Sequence, residues 1–162
     1  MSRRRAVEPA DLDLGHLAQF VGYAFADAVQ RALEAEGFVG LRFSHGFVFQ
    51  HLIETERSIG ELARRMQVTQ QAASKAVVEL EQLGYVERSV DELDARTRRV
   101  GLSARGRAAV EAARRARGQV ERKLASKLGA RALSVCRADL ARMLDELGGA
   151  EAVRRRRIVP PR

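Results

Sequence analysis

Thr69, Gln70, Gln71, Ser74, Lys75 and Val78 recur at the steps that share one side of a helix, while Ala73, Val77 and Leu80 fall on the other side. The polar side carries amides, hydroxyls and one ammonium, and no carboxylate precedes Glu79. A glutamine amide offers a donor and an acceptor that match the exposed edge of adenine, and a lysine reaches the acceptors of guanine or a phosphate oxygen. The chemistry on offer is recognition of base edges rather than bond breaking. Further along lies a polar, turn-prone stretch, SVDELDART, which contains Arg96 and is followed by Arg98 and Arg99. Arginines at such a tip can reach phosphates or the negative potential of a narrow minor groove.

These groups need elements to position them. Ser58 and Glu61 have the spacing of a capping box, which opens the short helix IGELARRMQ. Val68 and Thr69 interrupt it, Thr69 caps the next helix, and Gly84 ends that one. Short alternating runs at 85–88 and 98–102 predict a β-hairpin around the polar stretch. Upstream, Leu14, Leu17, Val21, Phe25, Ala28 and Ala32 mark a long helix over 11–36, capped by Asp11 or Asp13, and a shorter helix is expected from about 44 to 53. Downstream, Gly106, Val110, Ala113, Ala116, Val120, Leu124 and Leu128 mark a second long helix. After Gly129, a last helix carries Leu133, Cys136, Leu140, Met143 or Leu144, and Leu147. The expected fold is mainly α with a small β-hairpin wing: a winged helix-turn-helix flanked by long N- and C-terminal helices.

Composition agrees with a globular chain. The 162 residues are 46% hydrophobic and 31% charged, and the net charge is +8. That length sustains a core without staples, and one cysteine excludes a disulfide framework or a multi-cysteine zinc site. The charge is uneven: residues 11–57 carry −4, 58–103 are neutral and 104–162 carry +10. Excess positive charge suits nucleic acid or an anionic surface and does not choose between them. No apolar run approaches the ~20 residues of a membrane span. The basic start, MSRRRAVEPADLDLG, lacks the apolar stretch of a secretory signal, so an intracellular, cytoplasmic protein is expected.

The stretch IGELARRMQVTQQAASKAVVELEQLGYVERSVDELDARTRRVGLSARGR resembles the multiple-antibiotic-resistance (MarR) family of transcription regulators. The most specific part is Gly84-Tyr85-Val86-Glu87-Arg88, then Asp94-x-Arg96, then Leu102-Ser103-x-x-Gly106. The family usually has Leu-Thr where Leu102-Ser103 stands, and often Asp-Pro where this chain has Asp91-Glu92. The resemblance covers 11–149. It implies an obligate homodimer joined by helices at 11–36 and 104–149, with a winged lobe at 41–103 between basic tails at 1–10 and 150–162. It implies repression or activation of nearby genes, often relieved by a small ligand; the regulator expected is a repressor of a neighbouring gene released by a small organic ligand, on a pseudo-palindromic duplex operator. By position, Thr69, Gln70, Gln71, Ser74 and Lys75 fall on the start of the recognition helix. Arg96, with Arg98 beside it, falls on the wing arginine that enters the minor groove, and Asp94 falls on the acid that poses it.

Other readings of the same residues stay beside this one. Phe47 and His51, facing Phe20 and Tyr23, are expected either to line a ligand pocket or to serve as core. Cys136 lies on an apolar stripe and is expected to be buried rather than a redox sensor. His16, His45 and His51 lack metal-ligand spacing, so no metal or other cofactor is expected. The arginines at 154–157 read as a solvated run. A winged helix can also serve as a protein-interaction module, and a redox- or metal-responsive regulator is the other alternative. No phosphate-binding, dinucleotide or nucleophile motif is present, so an enzyme is not expected.

Overall fold

The computed structural model describes residues 7–90 and 98–156. After a 3-10 turn at Pro9–Asp11, the order is α1 (Leu14–Ala35), α2 (His45–Leu52), β1 (Arg57–Ser58), α3 (Ile59–Met66), α4 (Gln70–Gln82), β2 (Val86–Val90) and β3 (Arg98–Leu102). Then follow α5 (Ala104–Leu128), α6 (Ala130–Glu146) and α7 (Ala150–Arg154). The strands form one antiparallel sheet in the order β1-β3-β2, with Val86 opposite Leu102 and Arg57 opposite Val100. The fold is mostly helical with a small three-stranded wing sheet.

Local chemistry sets the element ends. Asp13 caps α1 by accepting from His16 N at 3.0 Å. That bond, with the adjacent His16 ring, holds the Asp13 carboxyl below the usual carboxylate range. Ser103 caps α5, accepting from Gly106 N at 3.0 Å while donating to Gly84 O at 2.6 Å. The first turn of α5 is thereby pinned to the end of α4. Gly106 sits so close that a Cβ there would fall 2.0 Å from Tyr85 O. The Leu-Ser-x-x-Gly motif is therefore a packing junction between helix and wing.

The core lies in the winged lobe. Leu62 from α3, Val77 and Leu80 from α4, Tyr85 beside the wing and Val100 from β3 are fully buried. Val48, Phe49 and Leu52 of α2 close over them, and Ala109, Ala112 and Ala116 of α5 carry the core outward. Tyr85 is fixed at its hydroxyl, which donates to Val39 O at 2.9 Å, and by the Arg105 guanidinium 4.9 Å over its ring. No helix among the described residues is long and apolar enough to cross a membrane.

The long helices are different. α1 lies along α5 and buries only Val29 and Leu33. No residue of α6 is buried. Leu14 and Val21 on α1, and Val135, Leu140 and Leu144 on α6, remain exposed. This corrects the expectation for Cys136, which is exposed, because the stripe it belongs to is left uncovered from Cys136 to Leu147 in one chain. Two elements were not anticipated. β1 is too short to show a period, and α7 occupies part of what reads as a solvated tail.

Candidate nucleic-acid interface

The capping box at the start of α3 is complete. Ser58 Oγ accepts from Glu61 N at 3.2 Å, and Glu61 Oε2 accepts from Ser58 N at 2.8 Å. Glu61 Oε2 also accepts from Arg99 NH1 at 2.8 Å, which ties the wing strand to the first helix of the motif. The Ser58 amide, then the Ser58 hydroxyl and the cations Arg99 and Arg57, hold the Glu61 carboxyl below its usual range. Arg99 is thus engaged in the wing's support. Sequence spacing could not pair it with Glu61, because 38 residues separate them.

α3 ends in a left-handed residue, Gln67, at φ 57°, and Val68 N donates back to Ala63 O at 3.0 Å. This reversal aims the chain into α4. Thr69 then caps α4, its Oγ1 accepting from Ala72 N at 3.1 Å. Gln70, Gln71 and Lys75 are exposed on the far side of α4, and Ser74 is half-buried. Gln70 leans on α3: a Cβ at Gly60 would lie 3.3 Å from its Nε2. Gln71 makes no such contact among the described residues and projects, exposed, from the first turn.

The first turn of α4 has no acid. The two acids further along are each engaged by an arginine. Glu79 pairs with Arg42, and Glu81 with Arg88 Nε at 3.1 Å. Glu79 Oε2 also lies 3.6 Å from Nε2 of buried His45, whose Nδ1 accepts from Arg42 N at 3.1 Å. Burial keeps His45 below its ordinary titration range, with Glu79 opposing and Arg42 adding to the effect. This clamp between α2 and α4 had no sequence signature. The N-terminal half of α4 therefore presents an ammonium without an ion pair among the described residues, beside amides and hydroxyls, with the positive end of the helix dipole behind them. Arg98 is exposed at the start of β3, opposite Val90. Asp94 and Arg96 lie outside the described residues.

The four residues expected to face one pocket are separated. A cavity of about 510 Å³ lies between α1, α2 and α5, lined by Phe25, Val29, Phe43, Phe47, Phe49 and Val110 among others. Phe47 reaches it, packed edge-on to Phe43 at 5.4 Å between centroids. Phe20 and Tyr23 do not. They pair with each other at 6.4 Å on the exposed N-terminal half of α1, beyond the cavity. His51 also does not line it. A four-residue step past Phe47 adds about 40° around the helix, which turns His51 from α5 toward α3.

Residues 39–97 match a family model described as MarR family. No curated protein matches the sequence. MepR of Staphylococcus aureus, described as a transcription regulator of the multidrug efflux pump MepA, has a similar structure, with 22% identity and a TM-score of 0.66 over 84% of this chain and 99% of that one. The MepR–DNA complex matches at 22% identity and a TM-score of 0.60 over 83% and 98% of the two chains. MepR bound to ethidium bromide matches at 22% identity and 0.59 over 85% and 99%.

Proposed function

We propose that this chain, a MarR-family protein by its winged lobe, is a homodimeric transcription regulator that reads a pseudo-palindromic duplex through α4. The observation that carries this is the α4 start: Gln70, Gln71 and Lys75 exposed, Thr69 and Ser74 beside them, and both nearby acids held by arginines. Such a helix can enter a major groove without carboxylate repulsion. The wing supplies Arg98, and Arg96 posed by Asp94, to the adjacent backbone and minor groove.

The dimer reading is supported by the uncovered apolar faces of α1 and α6. In this division, 11–36 and 104–149 join the copies, and 41–103 binds DNA. The cavity between α1, α2 and α5 is the natural seat for a small organic ligand. It touches both the long helices and α2, which packs on α3 and α4, so filling it shifts the lobe against the dimer frame. MepR binds DNA and ethidium bromide in solved structures. For this chain, we read the DNA-bound dimer as a cytoplasmic repressor of a neighbouring gene that the ligand releases.

The test is enrichment of duplexes from a random pool by the full chain, followed by footprinting. A two-fold site with half-sites about 10–10.5 bp apart is expected. Retention of random duplex with no enriched motif would overturn the DNA-reader assignment.

A further inference from the structure

The residues just after α7 fold back onto α2. Arg156, at φ 52°, donates from NH2 to Glu54 Oε1 at 2.9 Å and from NH1 to Gln50 O at 3.3 Å, and its own carbonyl accepts from Gln50 Nε2 at 3.2 Å. This clasp forms one wall of a cleft of about 550 Å³, with the end of α2, β1 and the end of α3 as the others. Arg57, Arg65, Arg154, Arg155 and Arg156 all line it. The one carboxylate on its wall, Glu54, is engaged by Arg156. Arg154 pairs with Asp145 and Arg155 with Glu151, so part of the charge is compensated from outside the cleft. Among the described residues Arg65 has no ion pair, and Arg57 donates only from Nε, to His51 O at 3.1 Å.

His51 supplies the second observation. Its ring lines the cleft and is 6% exposed, and its Nε2 is the buried side-chain nitrogen left without a hydrogen-bond partner among the described residues. Buried polar atoms are nearly always paired, so an orphan against a ring of guanidiniums calls for a partner beyond the described residues. Planar guanidinium forks match phosphate and carboxylate oxygens, and a cavity of several hundred Å³ has room for more than a simple ion.

We propose that this cleft binds a small oxyanion of two or more negative charges, a phosphate ester or a polycarboxylate, held by Arg57, Arg65 and Arg156, with His51 donating from Nε2. The site is separate from the α4 surface and from the α1–α2–α5 cavity. It does not depend on the DNA-binding reading, and its test needs no operator. Burial, then Arg65, Arg57 and Arg156, keeps His51 below its ordinary titration range. The charged groups facing it are Glu54 in the turn after α2, Arg57 on β1, Arg65 on α3 and the arginines at 154–156 after α6. A bound dianion offsets those guanidiniums and so raises the His51 midpoint.

The experiment is calorimetric titration of the full chain with sodium pyrophosphate and with citrate, at ionic strength matched with chloride, alongside imidazole NMR of its three histidines. Saturable one-to-one binding of either probe is expected, with a response and a raised midpoint at His51 and none at His16. The probe that binds tells phosphate from carboxylate recognition. Arg65→Ala and Arg156→Ala should each weaken it more than tenfold, while Arg142→Ala, an equal charge change on α6, should leave it unchanged. Heats no greater than those of chloride, or parent affinity in both cleft variants, would overturn the site. So would protection of Arg65 by an unrelated short duplex when neither probe binds, since the cleft would then meet DNA phosphates instead.

Discussion

Gln71 and Arg98 stand on one candidate surface but act through different physics. Gln71 projects from the first turn of α4, where its amide can pair with one base edge, and such a pair discriminates by about 1–3 kcal/mol. Gln71→Ala should flatten the preference at particular base pairs while leaving affinity for scrambled duplex nearly intact. Arg98 is an exposed cation on the wing strand, and on the proposed reading it meets phosphate or the minor groove rather than a major-groove base edge. Arg98→Ala should weaken operator and scrambled duplex together and reduce the salt slope by about one unit. Affinity measured for both duplexes at several salt concentrations separates the two roles. If Gln71→Ala keeps the full preference, α4 is not the reading element. Gly106 makes a third kind of demand, set by backbone rather than by ligand. A Cβ there meets Tyr85 O at 2.0 Å, and a carbonyl within the pinned α4–wing junction has no room to retreat. Gly106→Ala should destabilise by about 1–3 kcal/mol, as overpacking does. A denaturation midpoint unchanged from the parent would show that the junction yields.

At the scale of elements, the helix-turn-helix rests on its caps. Ser58→Ala removes one acceptor of the capping box and should cost about 0.5–2 kcal/mol. It also frees Glu61 from the hydroxyl while leaving Arg99 on Oε2, so wing and α3 should stay together. Chemical denaturation of the variant beside Glu61→Gln checks this. A loss in Glu61→Gln with none in Ser58→Ala would mean that the carboxylate, not the hydroxyl cap, carries the effect. Caps were also what the sequence disclosed best. The Ser58–Glu61 and Thr69 signals fix α3 and α4 because their hydrogen bonds are local and span three residues. The faces of α4 follow from the helical period alone. What escaped is non-local. β1 is two residues long and exists only because β3 offers an open edge. The run at 154–156 looks solvated in isolation, yet Arg156 reaches back to Gln50 and Glu54 across more than a hundred residues of chain. His51 escaped for a geometric reason: periodicity put it on the correct helix, but not on the side of α2 that meets α3. Cys136 was misjudged because an apolar stripe announces burial without saying whether the cover comes from the same chain.

At the scale of the whole molecule, two buried histidines and one uncovered surface set the behaviour. His45 and His51 both titrate below the ordinary 6.5 in the fold, chiefly through burial. Over that interval the unfolded chain binds more protons than the folded one, so stability falls as pH drops below about 6.5 and levels off under the folded values. Urea midpoints between pH 8 and 5 should trace that decline, and His45→Gln should shrink it; a decline of full size in that variant would assign it elsewhere. The uncovered surface gives the larger consequence. α6 buries none of its 17 residues, while Val135, Leu140 and Leu144 face outward beside the exposed Leu14 of α1. Contiguous apolar surface of this kind is rare on soluble monomers and is the usual mark of an interface. The isolated chain already has a closed core in its winged lobe, so this face is not needed for that lobe to fold. Light scattering at micromolar concentration should therefore give about twice 17.9 kDa. Leu140→Asp puts a carboxylate at the middle of the face, where pairing would bury it without a partner, and should yield a folded monomer. Losing the link between two DNA-binding lobes removes the effective-concentration gain of roughly 10²–10⁴, so operator affinity should fall by that order while a single half-site is still bound weakly. A parent chain that scatters as a monomer, or a Leu140→Asp variant that remains a dimer, would mean that the face meets something other than a second copy.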